Sequence, residues 1–204
     1  MHVEVAATVG GDCVTVAEVD AREKTLRERL SAHALPRPGT AEARQLRRWI
    51  TQVLVSERVV ATEARELGVG DEDAPSEADL LPDEVSRLEL GSVAVSTLAK
   101  PVGRAVYARV TESARVSPEE VWDYQVRNPF RFAERAEVPG GWRRAPIGAD
   151  LDEVLPVVAA YLLAAARRRE YRRWLDRRCA EVVVLAPGYE HPGDPRQPDN
   201  THRH

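Results

Sequence analysis

The sequence predicts a mainly α-helical protein with a small β element formed by its N- and C-terminal strands. Two long segments carry apolar residues at steps of three and four, which is typical of amphipathic helices. Short segments rich in β-branched residues lie near the two ends of the chain. Ala, Leu and Val supply most of the apolar content, and this composition also favours helices.

The central element is a long helix predicted over residues 40–67. Its apolar stripe includes Trp49, Ile50 and Val53. Thr40 is a suitable N-cap because its hydroxyl can accept from a free N–H group of the first turn. Gly68 is well placed for the left-handed conformation that ends many helices. A helix with this stripe is not stable alone, so we expect other segments of the protein to pack on it.

Local signals predict the remaining elements. Thr15 and Glu18 have the spacing of a capping box, and Ser117 with Glu120 repeats it with a proline at the first helical position. Asp150 and Glu153 form a possible start of the last helix. Pro156 would clash deep inside a helix, so the regular part of this helix is expected to begin near residue 155. The predicted strands are 3–9 and 181–186, with a turn at 10–12 and extended backbone at 13–15. The predicted helices are 16–34, 83–98, 102–111, 117–128 and 155–179. The predicted loops are 68–81 and 133–149. A strand over 105–111 is the alternative for that segment.

Composition excludes several classes of protein. The net charge of −4 gives no reason to expect nucleic acid, and no apolar run is long enough to span a membrane. The two cysteines, Cys13 and Cys179, imply neither a metal site nor a disulfide framework. The N-terminus has no basic region followed by an apolar run, so no secretory signal is expected and a cytoplasmic location is predicted. The Arg, Ala and Pro bias is typical of a GC-rich genome.

The order of these elements resembles the chaperone module of the SurA/PrsA-type parvulin foldases and the related trigger-factor C-domain. The family opening VNG-x-x-(I/V)-T-x-x-E-(V/F) resembles residues 9–19, and the helix end A-x-x-x-G-(I/V) resembles residues 64–69. The segment (V/I)-(S/T)-x-x-(E/D)-(V/L)-x-x-Y…F resembles residues 116–132, and a closing helix and strand follow. The resemblance implies a single helical module over 1–186, made of an N-terminal segment (1–69), a middle segment (70–149) and a closing segment (150–186), before a Pro/His-rich tail at 187–204.

The family usually carries a parvulin domain of ~100 residues where this protein has only residues 133–149. The resemblance therefore implies a cytosolic chaperone-like or escort protein that binds a polypeptide without prolyl isomerase activity. Exposed aromatic residues rimmed by arginine are expected to bind the partner. The candidate partner-binding residues are Trp142, Phe130, Phe132, Tyr124, Arg143 and Arg144.

The C-terminal histidines are the candidate metal ligands. His191, His202 and His204 lie in the tail with two aspartates, and imidazole is a common ligand of transition metals. A polar tail without a metal is the alternative, because a tail loses conformational entropy when it closes around an ion. No catalytic residues are predicted, since no acid–base pair, phosphate loop or nucleophile elbow is present.

Arginines cluster in the last helix between residues 167 and 178. We interpret this run as a solvated face that could meet the acidic loop at 68–81 or the anionic groups of a small ligand or carrier protein. Two further hypotheses stay open: an accessory enzyme or metal-binding protein of a biosynthetic pathway built on the same helical module, and a structural subunit of a homodimer.

Overall fold

The protein is mainly α-helical, with one small antiparallel sheet. The computed structural model describes residues 3–31, 34–72, 74–132 and 151–191. These residues form eight helices and three strands. In sequence order they are β1 (Val5–Val9), β2 (Asp12–Thr15), α1 (Val16–Arg29), α2 (Ala41–Leu67), α3 (Glu77–Leu80), α4 (Glu84–Leu90), α5 (Ser92–Thr97), α6 (Pro101–Val110), α7 (Pro118–Arg127), α8 (Leu151–Val182) and β3 (Val183–Leu185).

The N- and C-terminal strands meet in the sheet, as the sequence predicts. The strand order is β2-β1-β3, and both pairings are antiparallel. In the pairing of β1 with β3, Thr8 lies opposite Val184, and the Gly10 N–H donates to the Val182 carbonyl at 2.9 Å. The terminal β element is therefore confirmed.

The protein packs as two compact units. Unit 1 contains the described residues within 1–110 and 172–204, and unit 2 contains those within 111–171. The division into a single module over 1–186 stays a prediction. No helix among the described residues combines the length and the apolar character needed to cross a membrane.

In unit 1, α2 packs against α1, α5, α6 and the sheet. The predicted caps are confirmed, because the Thr40 hydroxyl accepts from the Ala43 N–H at 3.2 Å and Gly68 has a φ of 64°. Burial extends beyond the predicted single stripe, since Val55 and Val59 are also almost fully buried. Helices and sheet cover different sides of α2, so two of its faces are apolar.

Part-buried ion pairs join α2 to its neighbours in unit 1. Arg22 of α1 forms a bidentate pair with Glu57, at 3.1 and 2.8 Å. Arg178, near the end of α8, pairs with Glu63 of α2. The hydrogen bond to its neighbour Glu181 and the pair with Glu63 raise the pKa of Arg178, so its charge is retained. Such pairs fix the orientation of packed helices more than they add to stability.

Several boundaries differ from the predictions for physical reasons. Gly91, at φ 86°, separates α4 from α5 within the segment predicted as one helix over 83–98. A four-residue helix, α3, interrupts the loop predicted at 68–81, because Ser76 caps it. Helix α1 ends at Arg29, short of residue 34, and Leu30 is exposed.

Two further differences concern the C-terminal region. Helix α8 begins at Leu151, close to the possible start at Asp150, so the expectation that its regular part begins near residue 155 is wrong. Pro156 lies inside the helix, where it cannot donate to the Asp152 carbonyl four residues earlier, and the helix continues despite that lost hydrogen bond. The first residues of the tail contact helix α2, because the Arg48 guanidinium donates to the Gly188 carbonyl oxygen at 3.2 Å. Residues 187–191 are therefore not as loose as predicted.

Candidate functional site

Unit 2 is built on α7 and the first half of α8. The capping box predicted at its start is confirmed, since Ser117 and Glu120 exchange hydrogen bonds at 2.8 and 3.2 Å. A small core forms from Val121 of α7 with Val154 and Val158 of α8. This core holds the two helices together, so the side chains on either side of their contact keep fixed positions.

The first cavity of unit 2, here called the apolar groove, encloses about 540 Å³. Trp122 stands on its wall and keeps 48% of its surface exposed. Asp152 is the single charged residue of its lining. The groove is lined by Val116, Pro118, Val121, Trp122, Asp152, Leu155, Pro156 and Ala159.

Exposed large apolar side chains are concentrated in unit 2. Besides Trp122, four others have between 43% and 61% of their surface exposed: Val126, Phe130, Leu151 and Val157. These are five of the eleven exposed large apolar residues found among the described residues, although unit 2 is much the smaller unit. Apolar surface gathered in this way marks sites of protein or ligand contact.

The predicted partner-binding residues divide into three groups. Tyr124 and Phe132 come together with Tyr161, with ring centroids 5.5 to 6.4 Å apart, and they pack against the core of unit 2. Phe130 instead points to solvent, with 59% of its surface exposed. Trp142, Arg143 and Arg144 lie outside the described residues.

The aromatic cluster is tied to a cation. The Arg131 guanidinium lies 4.8 Å from the centroid of the Tyr161 ring and donates to its hydroxyl at 3.0 Å. Burial raises the pKa of the Tyr124 hydroxyl, and the neighbouring Tyr161 adds to this effect. Tyr124 therefore remains a neutral hydrogen-bonding group at physiological pH. We interpret this cluster as a structural support for the core of unit 2, on which Tyr124 and Phe132 pack.

The second cavity of unit 2, here called the basic pocket, encloses about 250 Å³ between α7 and α8. Three arginines, Arg115, Arg127 and Arg169, line it over an apolar floor that includes Leu162 and Ala166. Tyr124 also lines it. Val116 lines both cavities, so the basic pocket and the apolar groove are adjacent.

The sequence is compatible with Trp122 in a core or in a groove, and it does not predict the basic pocket. A signal for the groove is present, because α7 has ten residues and two apolar faces, one with Val121 and one with Trp122 and Val126. A helix needs one apolar face for its own core, so the second face is available for another contact. No sequence signal joins Arg115 to Arg169, which are far apart in the sequence.

The structure shows the partners of some charged residues in the arginine run and the acidic loop, and it places one of the three tail histidines. Glu77 of the acidic loop pairs with Arg87 at 2.8 Å, and Arg178 of the arginine run pairs with Glu63. His191 is exposed, whereas His202 and His204 lie outside the described residues. Within the described ranges no three His, Cys, Asp or Glu residues form a metal-binding group. The metal site at the histidines stays a prediction.

Both cysteines are free thiols. Cys13 is exposed and Cys179 is partly buried, with its sulfur 4.0 Å from the Ser56 hydroxyl. Burial raises the pKa of the Cys179 thiol. A protonated thiol is a poor nucleophile, so this residue does not suggest covalent catalysis.

Comparison with known proteins adds one match. The model of a family of unknown function, DUF7158, matches residues 5–42, which cover β1, β2, α1 and the N-terminus of α2. No curated protein and no solved structure matches this sequence. The matched segment belongs to unit 1, so the apolar groove and the basic pocket lie outside it.

Proposed function

We propose that this protein is a cytoplasmic escort protein that binds an apolar segment of a partner polypeptide in the apolar groove of unit 2. The observation that carries this proposal is the half-exposed Trp122 on the wall of a groove with one charged lining residue. A tryptophan in such a position costs solvation free energy in the free protein, and that cost is recovered when a partner covers it.

The composition of the groove suits a polypeptide. Its walls combine an aromatic ring, two prolines and aliphatic side chains, which offer contact area without demanding one hydrogen-bonding pattern. Interface hot spots are enriched in tryptophan and lie in pockets surrounded by other contacts. Val126 and Phe130 extend the apolar surface beyond the groove and would contact a longer partner segment.

The proposal excludes prolyl isomerisation. The protein has only residues 133–149 at the place where parvulin foldases carry a catalytic domain of ~100 residues. The resemblance in order of elements to the chaperone module of those foldases supports binding of an unfolded or partly folded polypeptide. A homodimer is compatible with this role.

Suppression of aggregation tests the proposal. Chemically denatured citrate synthase is diluted into buffer with and without the full-length protein, and light scattering is followed over time. We expect the protein to delay scattering at equimolar ratio, and we expect Trp122→Ser to remove most of the delay. The matched control is Leu88→Ser, which alters another exposed apolar residue, but in unit 1.

Two results would count against the proposal. The first is scattering that is the same with and without the protein, provided that its circular dichroism spectrum is that of a folded helical protein. The second is an equal loss of activity in the Trp122 and Leu88 variants, since any exposed apolar residue would then serve as well as the groove.

A further inference from the structure

The basic pocket has a surplus of positive charge that the described residues do not neutralise. Arg115, Arg127 and Arg169 line it together with two acidic residues, Glu120 and Asp123. Of the three arginines, Arg127 has a carboxylate partner, Asp123, at 3.0 Å. Glu120 is held by the N-terminus of α7, where it accepts from the Ser117 N–H at 2.8 Å.

The other two guanidinium groups have no acidic partner among the described residues. Arg115 donates to the carbonyl oxygens of Glu112 and Ala114, at 2.6 and 2.8 Å, through one nitrogen. Arg169 is exposed and forms no ion pair with another described residue. Each of these two arginines therefore has donors left for an incoming carboxylate, and planar guanidinium groups bind carboxylates in a bidentate manner.

We propose that the basic pocket binds two acidic side chains of the same partner segment whose apolar residue occupies the groove. This inference rests on the proposed function, and it specifies the partner as an apolar anchor flanked by acidic residues. Because Val116 lines both cavities, we expect one partner segment to reach both contacts. Arg115 and Arg169, which have no acidic partner among the described residues, are the side chains that would bind these carboxylates.

A nucleic acid fits these observations less well. A phosphate backbone in the pocket would meet the carboxylates of Glu120 and Asp123, and the protein as a whole carries a net charge of −4. An acidic peptide can place individual carboxylates on Arg115 and Arg169, whereas a phosphate backbone carries a negative charge at every nucleotide. The apolar groove next to the pocket also has no role for a phosphate backbone.

Peptide selection tests the inference without knowledge of the partner. Random twelve-residue peptides displayed on phage are selected on the immobilised full-length protein and, in parallel, on R115Q/R169Q. We expect the unmodified protein to enrich peptides in which aromatic or aliphatic residues stand beside Asp and Glu. The double variant is expected to retain the apolar preference and to lose the acidic one. The control R172Q/R177Q removes the same charge from exposed positions of α8 that do not line the pocket.

Affinity measurements on one selected peptide complete the test. Fluorescence anisotropy is expected to show about five- to 25-fold weaker binding to R115Q/R169Q, since each exposed charge pair contributes up to about fivefold. A similar loss is expected when the peptide acids become amides. Binding by R172Q/R177Q is expected to stay within about twofold of the unmodified value. Raising the salt concentration should weaken binding of the acidic peptide and leave the amide peptide unaffected.

The outcomes separate this inference from the proposed function. Selected peptides with apolar residues but no acidic enrichment would overturn the inference and leave the groove proposal intact. Loss of binding when only the C-terminus of the synthetic selected peptide is amidated would also overturn it, in favour of a terminal carboxylate. If no peptide is enriched by the unmodified protein, both proposals fail.

Discussion

Replacement of Trp122 by alanine is the most direct probe of the groove. Trp122 has 48% of its surface exposed in the free protein, and its neighbour Val121 is buried in the core of unit 2. An indole side chain offers about 250 Å² of surface, so about 120 Å² remains for a partner to cover. At about 25 cal/mol per Å², complete burial of that surface contributes ~3 kcal/mol.

That burial sets the expected loss of affinity. A contribution of ~3 kcal/mol corresponds to about 100-fold in the dissociation constant, and incomplete covering lowers it, so we expect a loss between about 10- and 100-fold for Trp122→Ala. The fold should persist, because the core contact of α7 is made by Val121 and the helix start by the Ser117 cap. We expect the free energy of unfolding to fall by about 1 kcal/mol.

Isothermal titration with a peptide selected on the unmodified protein measures the effect, and urea denaturation followed by circular dichroism checks the fold. Leu88→Ala is the control, since Leu88 is 71% exposed and belongs to α4 of unit 1. Its affinity for the peptide should match that of the unmodified protein. Unchanged affinity in Trp122→Ala, with the fold intact, would refute the assignment of the groove as the binding site.

Three further predictions concern unit 1. Gly103→Ala should lower the free energy of unfolding by about 1–3 kcal/mol in urea denaturation, although alanine has the better helix propensity, because the added Cβ would lie 1.8 Å from the Thr97 carbonyl oxygen. The control Gly70→Ala, with open space around the added Cβ, should change the free energy of unfolding by less than about 0.5 kcal/mol. The hydrogen bond from the Thr15 backbone N–H lowers the pKa of Glu18 in the folded protein. The ionised Glu18 therefore stabilises the fold above the usual pKa of 4.5, and this stabilisation is lost as the pH falls through the lower folded pKa. The difference in unfolding free energy between the unmodified protein and Glu18→Gln should accordingly shrink in acid. A thiol reagent at pH 8 should modify exposed Cys13 first and Cys179 much more slowly, since burial raises the pKa of the second thiol, and equal rates would contradict this.

Local hydrogen bonding explains why many elements could be predicted from the sequence. Thr15, Thr40 and Ser117 each cap a helix through a backbone N–H three residues later. Such contacts depend on neighbouring residues alone, so they are readable without the fold. The same applies to Gly68, whose left-handed conformation ends α2.

The candidate site could be predicted only to a limited extent, because it depends on which of several apolar side chains the core of unit 2 absorbs. Phe130 and Phe132 are two residues apart and look equivalent in the sequence, yet one is exposed and the other packs on Tyr161. The apolar residues of α7 could likewise serve the core or a partner. Burial of Val121 is what leaves Trp122 half in solvent.

The amino-acid sequence was sufficient for the helical class, the helix caps and the pairing of the terminal strands, because periodicity and short-range hydrogen bonds specify them. Tertiary structure decided which face of α7 is left uncovered and which arginines come together. Arg115 precedes α7 and Arg169 lies in α8, and the packing of these two helices makes them line one pocket. Contacts between residues so distant in the sequence depend on how whole helices pack, and no local pattern encodes that packing.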